Sequence, residues 1–97
     1  MSKKQHYLKS DKDESWELTS DEMTIGKRKE DCKIIFDDIS VSRIHARIMC
    51  ENEEVFLEDM NSTNGTFKNG VRLVPYERKR LEMGDELRFG NIEVVFN

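Results

Sequence analysis

The chain has 97 residues, enough for one hydrophobic core and too few for two. Charged residues (37%) match hydrophobic ones (36%). With 16 basic against 20 acidic side chains the net charge is −4, which excludes a general nucleic-acid binder with a basic footprint. The apolar residues gather in short runs such as "IIF", "RIHARIM" and "IEVVF", which excludes disorder, and no run approaches the ~20 residues of a membrane span.

Taken in chain order, the runs read as strands separated by turns. "HYLKS" (6–10), the turn-rich "DKDES" and "WELTS" (16–20) predict a hairpin, and "MTIGK" (23–27) and "KIIF" (33–36) predict two further strands. "RIHARIMC" (43–50) alternates, which puts Ile44, Ala46 and Ile48 inward, with Met49 and Cys50 competing for the same face. "EVFLEDM" (54–60) follows a polar turn. Asn69-Gly70 supplies the positive φ values of a type I′ hairpin, and "DELRFGNIEVVF" (85–96) turns at Gly90-Asn91. The nearest approach to a helix is "PYERKRLEMGDEL", which Pro75, Gly84 and poor apolar spacing weaken. Around ten short strands predict a single β-sandwich or barrel domain over 1–97.

Several motifs invite chemistry that their context does not support. Asp11, Asp13, Ser15 and Glu22 fit a calcium loop, but Trp16 stands where the loop needs glycine, so no metal site is expected. Ser42 and His45 resemble a nucleophile and its base. If the segment is a strand, however, residues three apart face opposite ways, and there is no Gly-x-Ser-x-Gly elbow. No catalytic residue and no cofactor is expected. Cys32 and Cys50 lack metal-ligand spacing and read as free thiols. The N-terminus shows no signal peptide, so a cytoplasmic location is expected, and Asn61-Ser62-Thr63 and Asn64-Gly65-Thr66 read as unglycosylated.

What remains is the basic "GKRK" and two polar loops, "ISVSR" (39–43) and "NSTNG" (61–65). Cations, a hydroxyl and exposed loop amides together are what a phosphate needs. An asparagine amide, which both donates and accepts, suits a peptide main chain.

"TIGK" (24–27), "SRIH" (42–45), "EDMNSTNGTFKNG" (58–70) and "GDELRFG" (84–90), with the closing "EVVF", resemble the forkhead-associated (FHA) domain, and most closely its bacterial members. The resemblance covers roughly residues 5–97. It implies an all-β sandwich of two twisted sheets with about eleven short strands, whose loops at one end bind phosphothreonine in a partner protein phosphorylated by a serine/threonine kinase. It implies that Ser42 donates to the phosphate and that Arg43 flanks the peptide. Asn64 would hold the peptide main chain, and Thr63 would shape a pocket for the threonine methyl. Gly26, His45 and Gly65 would support the loops. Lys27 stands where the family carries its phosphate-gripping arginine, and Arg28 beside it is an additional candidate contact. Because a lysine cannot make a bidentate fork, an interaction domain independent of phosphate is the alternative. Such modules are usually parts of longer signalling proteins; nucleic-acid and membrane partners are not expected.

Overall fold

Alternation of buried and exposed residues along short segments organises the chain into two sheets. The computed structural model describes residues 5–97, so the first residues of the expected 1–97 domain lie outside the described ones. Eleven strands follow in order: β1 (Tyr7–Lys9), β2 (Ser15–Glu17), β3 (Glu22–Gly26), β4 (Ile34–Ile35), β5 (Ala46–Glu51), β6 (Glu54–Asp59), β7 (Thr66–Lys68), β8 (Val71–Arg72), β9 (Lys79–Leu81), β10 (Glu86–Phe89) and β11 (Ile92–Phe96). One sheet has the order β2-β1-β11-β10-β7-β8 and the other β4-β3-β5-β6-β9. All pairings are antiparallel except β3 with β4, where Ile25 lies beside Ile34. This is the all-β sandwich expected from the sequence.

The inner faces meet in one core. Leu8, Ile25, Ile48, Leu57, Leu87, Phe89 and Phe96 are each at most 1% exposed. Trp16 meets Phe36 edge-on at 4.9 Å, and Phe36 leans on Phe89 at 5.4 Å, tying loop 36–45 to the other sheet.

The hairpins follow their turn chemistry. Asn69 (φ 50°) and Gly70 (φ 83°) form the two-residue loop between Lys68 and Val71, as the sequence predicts. Asn52 and Glu53, also at positive φ, join Glu51 to Glu54 in the same way.

Two sequence expectations differ from the structure. The segment weighed as a helix instead carries β9, which pairs with β6. β5 begins at Ala46 rather than at 43, so Ile44 lies in a loop and is 43% exposed, while Met49 and Ile48 are both buried. Residues 41–45 are bent. Strand alternation therefore does not apply to them.

The end of β3, the start of β5, the end of β6 and the start of β7 converge at one end of the sandwich. Ile25 pairs with Ala46, Ala46 with Asp59, and Thr66 with Phe89. The loops at these ends carry "GKRK", "ISVSR" and "NSTNG".

Candidate functional site

The site is built on the exit of β3. A Cβ at Gly26 would lie 2.2 Å from the carbonyl oxygen of Arg43, so only glycine lets the two backbones touch here. Beyond it, the Lys27 N–H donates to the Ser42 carbonyl at 3.0 Å and the Arg28 N–H to the Arg43 carbonyl at 3.2 Å. The Cys32 thiol also donates to the Arg43 carbonyl, at 3.2 Å. Burial pushes this thiol's pKa up, which keeps it protonated as a donor. Ser42 and Arg43 are thereby fixed from beneath.

His45 is completely buried and joins two loops. The Ser42 backbone N–H donates to its Nδ1 at 3.0 Å, so Nδ1 must carry a lone pair. The proton is then on Nε2, which donates to the Gly65 carbonyl at 3.0 Å. Burial holds the imidazole below its ordinary pKa, partly offset by the Gly65 carbonyl and the charge of Asp59. The extended geometry expected for Ser42 and His45 is thus corrected: the bend brings them into contact, but through the Ser42 main chain rather than its hydroxyl.

The loop after β6 is held by Asp59, which is 2% exposed. Its carboxylate accepts from the Ser62 hydroxyl at 2.5 Å, the Ser62 N–H at 3.2 Å and the Thr66 hydroxyl at 2.7 Å. The Ser62 hydroxyl in turn accepts from the Gly65 N–H at 3.1 Å. Gly65 has φ +88°, and a Cβ there would meet the Arg72 guanidinium at 2.7 Å. The Thr63 N–H donates to the Ser42 hydroxyl oxygen at 3.1 Å, and Asn64 Nδ2 donates to the Ser40 carbonyl at 2.9 Å.

One consequence is chemical. The Ser42 oxygen already accepts from Thr63, so the proton of its hydroxyl is the group it has to offer an incoming anion. Asn64 spends one amide N–H on Ser40 and keeps a second N–H and its Oδ1 carbonyl for a ligand.

Between the loops lies an open cleft of about 470 Å³, lined by Arg28, Asp31, Ser42, Arg43, Ile44 and Thr63. Of the residues expected at a binding site, Arg28, Ser42, Arg43 and Thr63 therefore share one cleft. Asn64 follows Thr63 on the exposed rim, and Gly26, His45 and Gly65 lie buried. Lys27 is exposed, and its charge reaches Asp38. The Asp38 carboxyl is held below the usual range first by the Ser40 hydroxyl, then by the Ser40 N–H, with Lys27 adding a smaller pull. Alternation predicts that Arg28 faces away from the site. The structure differs because the chain has left the strand at Gly26 and turns over residues 29–31.

Asp31, Asp38, Ser40 and Asp59 were missed by sequence reasoning. Ser40 links the loops by donating its hydroxyl to Asp38 at 2.6 Å and accepting from the Asn91 N–H at 2.7 Å. The spacing Asp59-x-x-Ser62, a self-bonding turn pattern, was the one available signal for Asp59.

The family model described as the FHA domain matches residues 23–90. The chain belongs to the FHA domain family. Among curated relatives it is 37% identical over 79 residues to the glycogen accumulation regulator GarA of Mycobacterium tuberculosis, covering 81% of this chain and 47% of that protein. Among solved structures it resembles Mycobacterium tuberculosis EmbR in complex with a low-affinity phosphopeptide, with TM-score 0.88 and 26% identity over 96% of this chain and 24% of that one. A structure from an analysis of phosphothreonine-dependent FHA domain interactions matches with TM-score 0.87 and 28% identity, covering 97% of this chain and 96% of that chain. The chain spans about half or less of the length of the curated relatives it matches.

Proposed function

We propose that this chain is a phosphothreonine-dependent protein-interaction module whose end loops bind a phosphorylated segment of a partner protein, itself the product of a serine/threonine kinase. The observation that carries the reading is the Ser42 hydroxyl. Its oxygen is engaged by the Thr63 N–H, its proton is left to donate, and it shares a cleft with Arg28 and Arg43.

In this reading Ser42 donates a charge-assisted hydrogen bond to a phosphate oxygen. Lys27 and Arg28, anchored by consecutive main-chain bonds to residues 42 and 43, supply positive charge from one side, and Arg43 supplies it from the other. Thr63 packs on the threonine methyl, and Asn64 pairs with the peptide main chain. Gly26, His45 and Gly65 touch no ligand and hold the loops in register. Nothing in this arrangement activates a nucleophile, so the role is recognition. Related structures described as phosphopeptide complexes support the reading.

A degenerate peptide array carrying phosphothreonine, phosphoserine or unmodified threonine at its centre tests it. Retention on the phosphothreonine set alone is expected. Equal retention on the unmodified set would favour a phosphate-independent interaction domain instead.

A further inference from the structure

The cleft also contains a carboxylate, and the reading above gives it no role. The Asp31 N–H and the Cys32 N–H both donate to the Arg28 carbonyl at 3.1 Å. This turn brings the Asp31 side chain back over Arg28. There Asp31 Oδ2 stands 3.2 Å from the Arg28 Nε, with Glu30 Oε1 at 3.9 Å. Both Arg28 and Asp31 line the cleft with Ser42, Arg43 and Thr63. An anion of the protein itself thus sits beside a cleft cation where a bound anion would be received.

We propose that Asp31 is a resident competitor for Arg28, which an incoming phosphate displaces, and that this exchange sets the affinity and anion selectivity of the site. The proposal rests on the phosphopeptide reading. The Arg28 and Asp31 side chains are 51% and 42% exposed, so the pair is screened by water and weak enough to open. A phosphothreonine carries about −1.5 to −2 charges and offers a guanidinium two parallel bonds, so it outcompetes a single carboxylate. The released Asp31 is then a negative charge close to the phosphate. Opening the Arg28–Asp31 pair costs the same for any incoming anion, whereas the net attraction to the cleft cations grows with the anion's charge, so a dianion displaces Asp31 more readily than an anion of single charge.

The experiment uses the whole 97-residue chain and an alanine-flanked phosphothreonine nonapeptide, titrated by calorimetry against wild type, Asp31→Asn, Glu53→Gln and Ser42→Ala. Glu53→Gln removes the same unit of charge in the β5–β6 turn, at the other end of the sandwich, and controls for net charge. Asp31→Asn should tighten binding about two- to fivefold, the range of an exposed ion pair, with Glu53→Gln unchanged. The Arg28 Nε–H signal in NMR spectra should move when peptide is added to wild type. An Asp31→Asn affinity no tighter than that of Glu53→Gln would overturn the proposal. If wild type then still prefers the phosphorylated peptide and Ser42→Ala loses it, the phosphopeptide reading stands. If wild type binds phosphorylated and unphosphorylated peptide equally, both fall.

Discussion

The backbone N–H of Ser42 donates to Nδ1 of buried His45 at 3.0 Å, so a residue with no access to ligand sets the direction of one that faces it. The other ring nitrogen holds Gly65. One imidazole therefore spaces the two loops that form the cleft.

His45→Ala removes both bonds and leaves a buried N–H and C=O unpaired beside a cavity. A loss of about 2–4 kcal/mol is expected. Thermal unfolding should move down by roughly 10 °C or more, and affinity should fall with it. Lost affinity at full stability would place His45 against the ligand instead.

The same ring predicts a pH dependence of folding. Its folded pKa lies below the ordinary value of 6.5, so the folded state binds fewer protons than the unfolded one. Its contribution is present in full above about 6.5 and is lost as pH falls from there through the folded pKa. Urea unfolding of the unliganded chain should show this decline as pH is lowered below about 6.5, and His45→Gln should flatten it.

Gly26→Ala tests the close approach at the strand exit. The new methyl would meet the Arg43 carbonyl oxygen, a backbone atom that cannot rotate away. Overpacking of this kind costs about 1–3 kcal/mol. Denaturant melts should show that loss, accompanied by weaker phosphopeptide binding because Arg43 moves. A neutral substitution would mean that the two loops are not coupled through this contact.

Much of this was legible in the sequence. The Asn69-Gly70 hairpin and the Gly90-Asn91 turn follow from positive-φ chemistry, and the sandwich follows from the frequency of short apolar runs. The motifs "SRIH" and "STNG" marked the loops that meet. What could not be read were features decided by bends. Ile44 breaks from alternation because β5 starts two residues later, and Arg28 enters the cleft because residues 29–31 turn. Asp59 carries only the weak Asp-x-x-Ser turn signal and Asp31 none, since only the fold separates a buried or clefted carboxylate from the rest of the chain's twenty acidic residues.

The resemblance to the family sets Lys27 where its members carry an arginine, which makes the Lys27 ammonium the candidate clamp. Lys27→Ala should weaken phosphopeptide binding about tenfold, the worth of one charge-assisted bond near a surface. Lys27→Arg should preserve or strengthen it, because a planar fork can make two bonds. Surface plasmon resonance at two salt concentrations would show this, with the wild-type affinity falling modestly as salt rises. A silent Lys27→Ala would leave the cationic role to Arg28.

Selectivity for threonine is expected if Thr63, which lines the cleft, packs on the threonine methyl as proposed. One methyl in a pocket contributes about 1 kcal/mol, so phosphothreonine should exceed phosphoserine by about fivefold or more in the same peptide. Competition binding with the two peptides would decide it, and equal displacement would mean that no methyl pocket exists.

The central claim is tested most directly by titrating a single peptide, with and without its phosphate, into wild type and Ser42→Ala in one calorimetric series. The account predicts that wild type binds only the phosphorylated form. Ser42→Ala should lose about ten- to a hundredfold, the worth of roughly 1.5–3 kcal/mol for a hydrogen bond to a charged group, while remaining folded. Equal affinity of wild type for both peptides, or an unchanged Ser42→Ala affinity, would contradict it.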